Sequence, residues 1–304
     1  MATPLQMGND MTDQTPFAIR EHDGVRIGPI RRPTNFSKAA VGSIHDDARA
    51  RELGFRGGTV AGNIHFEQYP PLLIDAFGDD WLRTGGLSLY FLNATTDGEP
   101  VQAFVGPPEA RAEGGWRAKV WMETPDGVRV NEGTASVGPP DEMSALRLRL
   151  KDVRPAQDLR ILRSARVGDQ VRDIPARQDS EQTDPRLELI TEPLAIYSDP
   201  ELMGGKVASP AAAIDCLRAV ETAIFTTNGP FVGMFGAIEL QFLAGPVFVD
   251  RDYLAEGRVL ALSESPKTEA AWFESTLYSS TGGAPVARMI MLSRLLKASS
   301  PLWT

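Results

Sequence analysis

The chain has 304 residues, enough for two ordinary domains or one large one, and its 42% hydrophobic and 8% aromatic content excludes a disordered composition. A formal net charge of −9 argues against nucleic-acid partners and anionic membrane surfaces, both of which reward lysine and arginine. Cys216 is the one cysteine, so neither a disulfide within the chain nor a thiolate metal cluster can form, which suits a reducing, cytoplasmic compartment.

Residues 1–34 read as a loose N-terminal arm. Residues 1–14 are polar and lack the apolar core of a signal peptide. No uncharged apolar run approaches the ~20 residues that span a bilayer. Ser43, with Asp46 three residues later, fits a capping signal for a short helix that runs through Leu53 and stops at Gly54. Gly57-Gly58 then permits a sharp turn, and a second helix is expected to begin near Thr59 or Val60. Gly62, Phe66, Tyr69 and Leu73 fall at helical spacing and predict a buried stripe. Ala61, His65, Gln68 and Leu72 form a second stripe beside it. Pro70-Pro71 must break or kink this helix, because an internal proline removes a hydrogen bond and clashes with the preceding turn.

Strand-like segments follow at 87–92, 101–105, 116–122 and 128–137, with Pro125-Asp126-Gly127 as the clearest hairpin signal. Residues 138–198 are rich in proline and charge and carry little pattern; 177–186 reads as a loop, and 187–190 could add a strand to the second half. Ser209-Pro210 opens an apolar helix through Phe225, and strand-like segments recur at 238–243, 253–262, 270–278 and 286–292. Tyr90-Phe91-Leu92 is matched by Gln241-Phe242-Leu243, an offset of 151, and Gly127 by Gly283, an offset of 156. The recurring order indicates a duplication. The expected partition is an arm over 1–34, a first unit over 35–138, linker and loops over 139–198, and a second unit over 199–304. Two of the three histidines, His45 and His65, fall in the first unit and have no counterpart in the second, so a histidine-based site exists once per chain.

A helix wrapped by an antiparallel sheet, present twice, resembles the α+β double hotdog fold. The stretch Ile44-His45-Asp46-Asp47, then Ala50, Gly54-Phe55-Arg56-Gly57 and Val60-Ala61-Gly62 resembles the hydratase motif of the MaoC-like dehydratase family. The usual form of that motif is G-D-x-N-P-x-H-x-D, an alanine, then G-F-x-x-P-[IV]-x-H-G. Residues 91–101, ending Asp97-Gly98-Glu99-Pro100-Val101, also resemble the family's strand after the central helix, so the likeness covers roughly residues 36–137. Ala40 stands where the family has its catalytic aspartate, Gly42-Ser43 replaces Asn-Pro, and Ala61 replaces the histidine before the helix glycine. His45, Asp47 and Gly62 carry over.

The resemblance implies a hydro-lyase, or a related lyase or isomerase, acting on an activated acyl substrate such as a coenzyme A thioester, without metal or cofactor. It gives His45 the acid/base role and the Gly62 N–H the role of donor to the enolate oxygen, since glycine lets a ligand approach the backbone closely. Asp47 is the further candidate, although stabilising its helix start is its plainer role. His65, on the second stripe, is expected to face the same cleft, its ring within about 10 Å of His45 so that one water could bridge them. A satisfied core histidine is the alternative. Arg56, Gly57 and Asn63 are candidate substrate contacts; a surface ion pair and a tight turn are the plain readings of the first two. Asp46 and Glu67 read as solvated or capping residues, Asp215 and Glu221 as surface or pocket positions, and Cys216 as core. An acyl thioesterase using Glu67, a non-catalytic binding protein, and chemistry redirected to a substrate without coenzyme A are the rival functions. The expected partner is a small molecule, and a homodimer the expected assembly.

Overall fold

The computed structural model describes residues 18–303; the signal-peptide reading of 1–14 and the first part of the expected arm lie outside them. Among the described residues twelve strands form one antiparallel sheet: β1 (Arg20–His22), β2 (Val25–Arg31), β3 (Gly86–Phe91), β4 (Val101–Val105), β5 (Glu109–Ala110), β6 (Trp116–Glu123), β7 (Arg129–Val137), β8 (Gln170–Ala176), β9 (Gly233–Phe242), β10 (Tyr253–Glu264), β11 (Thr268–Ser279) and β12 (Pro285–Leu296). The helices are α1 (Asp47–Glu52), α2 (Gly62–His65), α3 (Pro70–Phe77), α4 (Trp81–Thr84), α5 (Ala145–Lys151), α6 (Ser180–Leu187), α7 (Pro210–Leu217) and α8 (Glu221–Ile224).

The strand order β1-β2-β4-β6-β7-β3-β9-β12-β11-β10-β8 is two copies of one five-strand pattern meeting at β3 and β9, with β1 as an extra edge. At that seam Gly86 pairs with Gln241, Ser88 with Glu239 and Tyr90 with Ala237. An offset of 151 maps this register onto itself, so a pseudo-two-fold passes between Ser88 and Glu239. The spacing between Tyr90 and Gln241 in the sequence is therefore the symmetry of the sheet.

Each half lays its apolar alternation against a central helix. Val101, Ala103, Val105, Ala118, Val120 and Met122 face inward and meet Phe66, Tyr69, Leu72 and Leu73, all fully or almost fully buried. The Tyr69 hydroxyl donates to Asn131 Oδ1 at 2.6 Å, which satisfies the polar end of a buried ring. The Pro70-Pro71 expectation holds. α2 passes into a 3₁₀ turn over Phe66–Gln68, and α3 restarts with Pro70 in its first turn, where a missing N–H costs nothing. The second central helix is built alike: α7, a 3₁₀ turn over Arg218–Val220, then α8. α5 covers the outer face of the seam, its Leu146 and Ala145 amides bonded to Ser88 Oγ and Thr134 Oγ1. Among the described residues no helix is long and apolar enough to cross a membrane.

Several expectations need correction. Residues 20–31 are not a loose arm; they form a hairpin whose β2 pairs with β4 and closes the first half. Residues 177–186 are not a loop. α6 forms there despite Pro185, because Asp250 receives the Ser180 amide at 2.9 Å and the buried Thr183 turns inward. Residues 187–190 are the end of that helix and the turn after it, not a strand, with the Leu189 and Ile190 amides donating back to Arg186. The second half's edge strand is instead β8, which lies inside the expected linker and pairs with β10.

Candidate functional site

His45 is held by its own turn. Its amide donates to Ser43 Oγ at 3.1 Å, and its carbonyl accepts from Asn35 Nδ2 at 2.9 Å. The helix cap after it is Asp46 and not Ser43, with Asp46 Oδ1 taking the Ala48 amide and Oδ2 the Gly42 amide. The backbone bonds from Gly42 and then Ala48 hold the Asp46 carboxyl below its ordinary range. A Cβ on Gly58 would come 2.3 Å from the His45 carbonyl oxygen, so only glycine lets these two segments meet. The ring itself is tied at Nδ1, 2.7 Å from the Thr59 carbonyl oxygen. A carbonyl can only accept, so Nδ1 is the donor there and Nε2 is the ring nitrogen left for the cleft that the residue lines.

His65 is anchored to the same piece of backbone. Its Nε2 lies 2.9 Å from Thr95 Oγ1, while the Val60 amide donates to the Thr95 carbonyl and Thr59 bridges to Thr96. His65 is 3% exposed, and burial pushes its imidazole down to about 4, so it is neutral near pH 7. His65 Nδ1 and Asn63 Oδ1 are buried without a hydrogen-bond partner among the described residues. Gly62 opens α2, where the first amides have no intrahelical acceptor. The space a Cβ would take there is filled by the Phe91 ring, 2.6 Å from the ideal position. The missing side chain at Gly62 thus makes room for that aromatic ring.

One cleft of about 750 Å³ is lined by His45, Gly62, Asn63 and His65 together, a volume suited to a small-molecule ligand. It opens where the seam splits. β3 and β9 pair only over 86–90 and 237–241; beyond that Phe91 pairs only with β7, and 233–235 only with β12. Phe91, Asn93, Gly233 and Phe235 line the gap. The symmetry-related split is shut. There the Phe242 amide bonds the Gly85 carbonyl at 2.8 Å, and Trp81 of α4 stands edge-on to Phe242 with ring centres 5.8 Å apart.

Asp47, Arg56 and Gly57 do not line the cleft. Asp47 Oδ1 receives the Gly58 amide at 2.7 Å, Arg56 pairs with Glu99 at 2.8 Å, and Gly57 packs against Asp47. The far wall comes from the second half: Asp215 of α7 and Glu221 of α8, left between surface and pocket by the sequence, and Arg186 of α6 and Arg218, which sequence reasoning missed. Asp215 accepts from Asn63 Nδ2 at 3.3 Å, from Arg186 at 2.9 Å and from Arg218 at 3.4 Å. Glu221 accepts from Arg218 and from Ser293 Oγ. The available signal was two acidic residues on an otherwise apolar helix.

Matching backbone bonds align the halves at this depth. Thr59 N bonds Ile44 O as Val207 N bonds Ile196 O, and Val60 N bonds Thr95 O as Ala208 N bonds Val247 O. His45 therefore corresponds to Tyr197, Gly62 to Pro210 and His65 to Ala213. The second copy has no imidazole, and proline there has no N–H to offer. A void of only about 20 Å³ remains beside it.

Glu67 borders that void and not the large cleft, and it is fully buried rather than solvated. Its Oε1 takes the Ala211 amide at 2.9 Å in the first turn of α7, so it does cap a helix, but one in the other half. In that place it faces α7 and not the large cleft. Burial raises its carboxyl to about 7. The two buried groups pull stability in opposite directions. His65, lowered from 6.5 to about 4, takes stability away as pH falls through that window, because the unfolded chain binds the proton first. Glu67, raised from 4.5 to about 7, takes stability away as pH rises, because the unfolded chain loses the proton first. Glu67→Gln keeps an acceptor for Ala211 and cancels only the second effect. Relative to the parent, this variant should gain roughly 2–3 kcal/mol between pH 4.5 and 6.5, measured by urea unfolding at the two pH values.

No protein-family model matches the chain, and no curated protein matches it. Among solved structures it is similar to a putative MaoC domain protein dehydratase from Chloroflexus aurantiacus J-10-fl, at 11% identity over 88% of this chain and 93% of that one, with a TM-score of 0.58. It is similar to a conserved hypothetical protein from Mycobacterium tuberculosis described as having a double hotdog fold, at 10% identity over 88% and 94%, with a TM-score of 0.60. A third is the dehydratase domain of PpsC from Mycobacterium tuberculosis in complex with C12:1-CoA, at 14% identity over 92% and 98%, with a TM-score of 0.50. The fold is a double hotdog, as the sequence resemblance implied.

Proposed function

We propose that the cleft is the active site of a hydro-lyase that adds water to, or removes it from, an activated acyl substrate such as a coenzyme A thioester. The observation that carries this reading is the His45 ring, fixed at Nδ1 by the Thr59 carbonyl with Nε2 left for chemistry on a cleft of ligand size. The solved complex of a similarly folded dehydratase domain with C12:1-CoA supports the substrate class.

One histidine so oriented can serve the whole addition. Neutral Nε2 accepts a proton from water as the oxygen bonds to C3 of a 2-enoyl thioester, and the electron pair moves to the thioester oxygen. The imidazolium then returns that proton to C2, restoring the neutral ring. The Gly62 N–H, free of an intrahelical partner, is the donor for the enolate oxygen. His65, neutral and bonded to Thr95, ties α2 to the segment between β3 and β4 rather than carrying a charge. No aspartate at the position of Ala40 is needed to move a proton.

Incubation with a panel of 2-enoyl, 3-hydroxy and saturated acyl-coenzyme A esters, followed by mass spectrometry, tests it. Gain of one water by an enoyl ester, or its loss from a hydroxy ester, is the expected result. Release of free coenzyme A would indicate a thioesterase instead. No binding and no turnover would remove the thioester reading.

A further inference from the structure

We infer that Asp215, carried by the second half of the chain, holds the attacking water for His45 and so supplies the carboxylate that Ala40 cannot. This rests on the hydration reading above.

Asp215 lines the same cleft as His45, and its side chain is 20% exposed. It is joined to the first half through Asn63 Nδ2 at 3.3 Å, next in sequence to Gly62. Its symmetry counterpart is Glu67, since the backbone bonds that align Thr59 with Val207 also align 67 with 215. Each central helix thus sends one carboxylate across to the other half. Glu67 reaches the Ala211 amide in a sealed place beside Pro210, where no histidine stands. Asp215 reaches Asn63 where the cleft is open and both histidines are present. The same device is structural at one end and available to a ligand at the other.

Glu221 is the other acid on this wall, and its oxygens are held by shorter bonds than those to Asp215 Oδ1. Oε2 receives both Arg218 Nε and Nη2, at 2.8 and 2.6 Å, and Oε1 receives Ser293 Oγ at 3.0 Å. The bonds to Asp215 Oδ1 are longer, 3.3 and 3.4 Å, and leave that oxygen room for a further donor. Arg186 and Arg218 keep the charge in place. In the reaction one water hydrogen passes to His45 Nε2 while the other, donated to Asp215, stays on the oxygen that bonds to C3. Asp215 neither gains nor loses a proton; it fixes the direction of attack.

Asp215→Asn keeps the size and one acceptor oxygen while removing the charge. On an ester the parent hydrates, kcat should fall ~100-fold with KM within about threefold, and a saturated thioester should bind with parental affinity. A carboxylate that merely clamps the two halves would instead weaken binding and lower the melting temperature while sparing kcat. A crystal of the parent with a 3-hydroxyacyl thioester should place the hydroxyl within about 3.2 Å of Asp215. An active parent and an Asp215→Asn variant with kcat within about threefold of it would overturn the assignment alone. A parent inert on every ester would remove the hydration reading, and this assignment with it.

Discussion

His45→Ala is expected to lower kcat/KM by about 10²–10⁴, the range associated with a positioned acid/base group. The prediction follows from orientation more than from motif. The ring has one fixed bond, to the Thr59 carbonyl, and that bond determines which nitrogen faces the cleft. Losing it should cost the fold only about 1 kcal/mol, because the ring is half-buried and the turn retains the bonds from Ser43 and Asn35. His65→Ala should show the reverse balance. It opens a space in a wall that is otherwise buried and strands Thr95 Oγ1, so stability should fall further and turnover less. Steady-state kinetics with thermal melts of both variants separates the two. A His45→Ala enzyme within about threefold of the parent would remove the histidine from the mechanism.

The parts of this molecule that were legible in the sequence are those governed by period. Phe66, Tyr69 and Leu73 announced a buried helical face, and the inward residues of β4 and β6 announced a half-covered sheet, because burial on one side repeats with the backbone's own geometry. The offset between Tyr90 and Gln241 was legible because duplication preserves spacing. Three kinds of feature were not. β8 and α6 are held by partners distant in sequence, β10 and Asp250, and their own residues carry neither alternation nor an apolar face. The fates of Glu67 and Asp215 are set by which end of the pseudo-symmetric seam stays open, and that depends on Trp81 filling one split while Phe91 borders the other. Asp47 entered as a site residue by carry-over from the motif and Arg56 as a cation in the same stretch, yet neither a motif position nor a charge says which way a side chain faces. Both spend their hydrogen bonds on Glu99 and Gly58 instead. The motif located the histidine; only the fold could supply the opposite wall.

The largest structural effect is expected away from the cleft, at Glu269 on β11. Its carboxylate is fully buried and meets no arginine or lysine among the described residues; it accepts four neutral donors instead. Oε1 takes the Arg160 and Ile161 amides at 2.9 and 2.8 Å and the Trp303 indole N–H at 2.7 Å, and Oε2 takes the Leu162 amide at 2.8 Å. One side chain thereby ties the connection between the halves to the sheet and to the end of the described chain. Ile161 and Leu162, both fully buried, can reach the core only if their amides have a partner there. Glu269→Ala leaves those amides unpaired in an apolar setting. Each stranded donor costs about 1–3 kcal/mol, and since the four share one acceptor their losses do not add fully, so about 3–5 kcal/mol is expected. That corresponds to a fall in melting temperature on the order of 10 °C. Glu269→Gln should lose less, because it retains one acceptor oxygen but turns an amide N–H toward donors. Thermal melts of the parent and the two variants should therefore rank parent, glutamine, alanine. A Glu269→Ala protein melting within about 2 °C of the parent would mean that the connection is held by its apolar contacts alone.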